Sequence, residues 1–169
     1  LMGYYNVILN YGIQSFVKKC LENGVDGLII VDLQPEEDDD LIIELKKNNI
    51  DLIRLITPTT KEDRLKLILK NANGFLYYVS VVGTTGQKSA NISELQKSVD
   101  FIRKHTNLPI IPGFGIKSAD DVNKICKIAD GAVVGSSIIK IIEKNIDNKD
   151  LLIKGIDNFT KELKRGTLV

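Results

Sequence analysis

Apolar residues in this chain come in short, unbroken runs, each followed by a polar turn and then an amphipathic segment. "GLIIVD" (27–32) precedes "EEDDDLIIELKKNN", and "DLIRLIT" (51–57) precedes, past Pro58, "KEDRLKLILKNA". "GFLYYVSVV" (74–82) leads into "NISELQKSVDFIRKH", "LPIIPG" (108–113) into "SADDVNKICKIA", and "GAVVG" (131–135) into "SSIIKIIEKN". The opening "LMGYYNVIL" reads as a strand running into a loop, ahead of the helix "YGIQSFVKKCLENG". That makes six strand–helix units, and a last helix over roughly 149–164 closes the chain.

In the helical segments apolar residues recur at spacings of three and four, the mark of one buried face. Acids gather at their starts (Glu36 to Asp40; Asp120 and Asp121), with Lys, Asn, Gly or His at their ends. Both placements suit the helix dipole, so the acidic run at 36–40 predicts a helix entrance rather than a metal site. Runs without alternation predict strands buried on both faces of a parallel sheet. Repeated βα units then leave two architectures, an open doubly wound sheet or a (β/α)8 barrel.

Bulk composition narrows the function. The 169 residues suit one domain spanning 1–169, with 43% hydrophobic and 27% charged residues. Basic and acidic side chains number 23 and 22, a net charge of +1, which gives no general field for nucleic acid or anionic membrane. No apolar run approaches the roughly 18 residues a membrane helix needs, and "LMGYYN" does not read as a signal peptide. Cys20 and Cys126 have no metal-ligand spacing and read as free thiols of a reducing, cytoplasmic compartment.

Glycine loops choose between the two architectures. No GxGxxG follows the first strand, where an open nucleotide-binding sheet would need it. Instead the special loops follow the last three strands: Gly83 to Gly86, "PGFGI" (112–116) and "GSSI" (135–138). In a (β/α)8 barrel those are the phosphate-binding positions, closed by a helix N-terminus. Backbone N–H groups of Gly86, Gly115 and Ser136 would converge on one dianion, where a Cβ would hold the backbone away. Plain tight turns are the alternative.

In order and spacing, "LMGYYNVILNYGI", "DLQPEE", "YYVSVVGTTG", "PIIPGFGI" and "ADGAVVGSSIIKIIEKN" resemble the α subunit of tryptophan synthase. The resemblance covers nearly the whole chain. It implies a (β/α)8 TIM barrel with six of its eight units present, the opening strand matching the family's third. It also implies a retro-aldol lyase that splits indole-3-glycerol phosphate into indole and glyceraldehyde 3-phosphate. Indole then passes to the β subunit of an αββα complex, which holds the pyridoxal phosphate; the α subunit needs no cofactor or metal of its own. By the same resemblance Thr85, Gly86, Gly113, Phe114, Gly115, Gly135 and Ser136 match the phosphate loops. Tyr77 matches a tyrosine of the substrate cavity, with core filling as its alternative. Asn6, Asn10, Asp32 and Pro35 match partner-facing positions, the two asparagines on the loop after the opening strand.

Three departures stand out. Gln34 occupies a place where proline is common, which loosens a partner-facing loop, and Lys88 stands near a frequent arginine. The third concerns catalysis. The cleavage needs an acid and a base, a Glu and an Asp in the family, and their surrounding "ELG" and "PFSDP" occur nowhere in this sequence. Asp32 is the one acid squarely at a strand's C-terminal end, and it reads as orienting its own loop "LQPEE" rather than as a catalyst. His105 reads as a helix-end dipole partner. The sequence therefore predicts an inactive chain lacking its first two units, against two alternatives. One is a non-catalytic phosphate-binding barrel; the other is a different sugar-phosphate isomerase or epimerase.

Overall fold

The computed structural model of the chain describes residues 1–79, 88–113 and 115–168. The chain divides into two compact units, Leu1–Tyr77 with His105–Leu108, and Tyr78–Lys104 with Pro109–Val169. Strands follow one another in the sheet in chain order, β1 to β5. No described helix is long and apolar enough to cross a membrane.

The first unit holds β1 (Met2–Gly3), α1 (Tyr5–Tyr11), α2 (Ile13–Glu22) and β2 (Gly27–Ile30). It continues through α3 (Asp39–Lys47), β3 (Asp51–Ile56) and α4 (Glu62–Leu69) to the start of β4 (Leu76–Val79). Pairing is parallel, Met2 lying opposite Ile29 and Gly27 opposite Asp51. Leu28, Ile30 and Leu52 share one core with Val17 and Cys20 of α2 and with Leu41 and Leu45 of α3. Each such leucine, fully buried, contributes about 2 kcal/mol before chain entropy is counted. Along β2 buried and half-buried residues alternate, so that strand is not sealed equally on both faces as its apolar run predicted.

The opening segment corrects one expectation. Its strand is only Met2–Gly3, and the following residues form α1 instead of a loop. A distant carboxylate drives this: Asp32 Oδ1 accepts from Tyr5 N at 2.7 Å, at the first turn of α1. Gly12, at φ 89°, ends the helix by donating its N–H to the Ile8 and Leu9 carbonyls. That left-handed conformation favours glycine.

The second unit holds α5 (Lys88–Arg103), β5 (Ile110–Gly113), α6 (Ala119–Cys126), α7 (Ser136–Lys144) and α8 (Lys149–Arg165). Ser118 caps α6 by accepting from Asp121 N, while Asp121 reaches back to Lys117 N, a reciprocal box written in "KSADD". Here lies the second correction. "GAVVG" does not form a sixth strand; only an isolated parallel bridge joins Val133 to Gly113. Val133 N donates to the Pro112 carbonyl at 2.9 Å, but Pro112 has no N–H to return. One residue pair earlier, the Ile110 N–H goes to the side chain of Asp130 at 2.9 Å instead of to a backbone carbonyl. β5 is thus short of donors on that side.

Candidate phosphate-binding site and partner face

Two of the three glycine loops meet in the second unit. "PGFGI" leaves β5 toward α6, and "GSSI" opens α7 with Gly135 at its N-cap and Ser136 as its first residue. Ser137 fastens them, its hydroxyl donating to the Ile116 carbonyl at 2.8 Å. Exposed Gly115 is therefore held beside exposed Gly135 and Ser136. Among the described residues, a Cβ built on Gly115 or on Gly135 would meet nothing within 4 Å, and neither glycine is among those with a left-handed φ. Neither a turn conformation nor internal packing demands glycine at these two places. What glycine leaves there is open space next to the first-turn N–H groups of a helix, which lack intrahelical acceptors and carry the positive end of its dipole. Such a cradle takes an anion. Gly113 closes β5. Thr85, Gly86 and Phe114 lie outside the described residues.

Tyr77 lies on β4, half-buried. Its neighbour Tyr78 is buried and donates its hydroxyl to Ser98 of α5 at 3.0 Å. Side chains alternate along a strand, so Tyr77 points away from the helix-covered face.

The predicted partner residues cluster in the first unit, on a different scaffold from the one expected. Asn6 and Asn10 lie one helical turn apart on α1, both exposed. Asp32 holds Tyr5 N and so orients α1 rather than its own loop. Burial first, then the charges of Asp40 and Glu37, raise the Tyr5 phenol above its ordinary value. Pro35 is half-buried midway along the β2–α3 loop. His105 follows two residues after the end of α5.

Sequence reasoning missed three contributors. Ser137 supplies the hydroxyl that joins the glycine loops. Arg54 and Asp38 form an ion pair at 5% and 0% side-chain exposure. Asp38 reads as a helix-entrance acid and does stand at the N-cap of α3, but its side chain makes no capping hydrogen bond and pairs with Arg54 instead. The signal was available: an arginine inside "DLIRLI" cannot be buried without a partner. Burial lowers the Arg54 guanidinium to about 10. Arg64, on α4, forks onto Gln34 and Glu36.

Parallel βα units in sequential strand order define a chain of the (β/α)8-barrel class. The family model "Tryptophan synthase alpha chain" matches residues 1–167. The chain is 46% identical over 164 residues to the tryptophan synthase alpha chain of Petrotoga mobilis, covering 97% of this chain and 64% of that protein. The solved α subunit from Campylobacter jejuni aligns at TM-score 0.83 and 44% identity, over 94% of this chain and 63% of that one. The α chain from Legionella pneumophila aligns at 0.85 and 33%, over 99% and 61%. The chain therefore belongs to the tryptophan synthase alpha family, and it spans less than two thirds of the length of these relatives.

Proposed function

We propose that this chain is the phosphate-gripping and partner-facing part of a tryptophan synthase α subunit, a lyase of tryptophan biosynthesis working in the cytoplasm. Its substrate is indole-3-glycerol phosphate, and the reaction is retro-aldol cleavage to indole and glyceraldehyde 3-phosphate. The N–H groups of Gly115 and Ser136 bind the substrate phosphate, with Gly113, Phe114, Gly135, Thr85 and Gly86 completing the loops. Tyr77 belongs to the substrate side of β4. Asn6, Asn10, Asp32 and Pro35 face a β subunit, which carries the pyridoxal phosphate and receives the indole. Residues 1–169 belong to one barrel domain. The proton-transfer Glu and Asp of the family are not among them, so the chain by itself does not turn the substrate over.

One observation carries this reading. Gly115 and Gly135 are glycines without an internal reason, set beside the first turn of α7. Isothermal titration of glycerol 3-phosphate into the chain tests it. Wild type binds, and Gly115→Val loses the binding because the added branched side chain occupies the space of the phosphate oxygens. Binding that survives Gly115→Val unchanged would leave these loops as turns and overturn the assignment.

A further inference from the structure

The β2–α3 loop, residues 31–38, is gripped from two elements by two arginines. From β3, Arg54 donates Nη1 to the Leu33 carbonyl at 3.2 Å and pairs through Nη2 with Asp38. From α4, Arg64 places Nη1 on the Glu36 carboxylate and Nη2 on the Gln34 side-chain oxygen. The Glu36 carboxyl is held below its ordinary value, first by that Arg64 hydrogen bond. At the loop's start, Asp32 accepts from Tyr5 N and ties in α1.

Stability does not explain the outer grip. Arg64 and Glu36 are 36% and 52% exposed, and ion pairs so placed contribute little to folding. Their geometric effect is larger, because a guanidinium that forks onto two side chains restricts both in direction as well as distance. Exposed loops are ordinarily the least constrained part of a fold. Here Val31, Asp32, Gln34, Glu36 and Glu37 are exposed, yet the backbone beneath them is anchored at Leu33 and Asp38. Ordering a loop before it meets a partner removes that cost from binding. The Arg64–Gln34 bond restrains this position by hydrogen bonding, as a proline there would restrain the same backbone through its ring.

We propose that Arg54 and Arg64 are positioning residues that hold the β2–α3 loop in its docking shape for the β subunit, Arg64 doing by hydrogen bonding what a proline at position 34 does by its ring. This rests on the reading that the loop faces that subunit. The test uses the chain, the β subunit of the same organism, amide hydrogen exchange and association measured by interferometry. Arg64→Ala should speed exchange over residues 33–37 and weaken association about three- to ten-fold, with the unfolding midpoint unchanged. Arg64→Lys should not restore binding, because an ammonium is a single point donor. Arg64→Ala combined with Gln34→Pro should restore it, a rescue that a merely structural role would not give. If wild type binds and Arg64→Ala binds equally well, or loses binding with loop exchange unchanged, the two-arginine lock is overturned while the partner reading stands. If wild type fails to bind the β subunit at all, the partner reading falls, and the proposal falls with it.

Discussion

Arg54 and Asp38 face each other at 5% and 0% exposure, so their charges have almost no water to share. Removing one of two buried ions costs far more than the pair is worth, because the other stays charged in a poor solvent. Arg54→Ala should therefore destabilise the chain by about 3–5 kcal/mol, read from urea unfolding midpoints. Arg54→Met with Asp38→Leu should recover most of that loss, since an apolar pair of similar volume suits the site. A single substitution costing less than about 1 kcal/mol would mean that the carboxylate finds water there. The arginine was visible in "DLIRLI" as a misfit, but its partner lay sixteen residues away among five consecutive acids. Pattern alone could not say which of them turns inward.

Asp130 shows the same dependence at the level of elements. Its carboxylate takes the Ile110 N–H at 2.9 Å and an Arg103 guanidinium N–H at 3.0 Å, standing where a sixth strand's backbone would have paired. Burial pushes this carboxyl up, but the hydrogen bonds from Ile110 and Arg103 outweigh it and hold it below its ordinary value of 3.8. A carboxyl with a lowered folded pKa adds stability that is complete above its unfolded value and is lost as pH falls through the folded one. Asp130→Asn should thus be less stable than wild type at about pH 6, with the gap narrowing as the pH falls through the lowered folded value in matched urea titrations. A gap constant with pH would assign the effect to packing instead. Most helices were legible from their three–four spacing, α7 and α8 nearly to the residue. "GAVVG" and "YYNVIL" were not, because a proline's missing donor and a carboxylate 27 residues away outvoted local β-propensity.

Across the whole molecule, the proposed division of labour separates binding from chemistry. The chain covers 64% of its Petrotoga relative, and the "ELG" and "PFSDP" stretches expected around an acid–base pair do not occur in its sequence. Each proton-transfer group typically supplies a factor of about 10² to 10⁴. Indole release from indole-3-glycerol phosphate should therefore be undetectable with the 169-residue chain under conditions where glycerol 3-phosphate binds. Turnover at an ordinary rate would place the acid and base among the residues present, with Asp32→Asn the first variant to assay.

By itself the sequence determined the class of fold, most of the elements and the two glycine loops, because these depend on local spacing and on residue types with few conformational substitutes. It also carried the family, through motifs whose order survives in one dimension. The tertiary structure alone decided which acid is buried, which serine joins the loops, that the asparagines ride on a helix, and that two arginines grip one surface loop. Those outcomes turn on which distant polar groups arrive within hydrogen-bonding distance of each other. A one-dimensional pattern carries no distances of that kind.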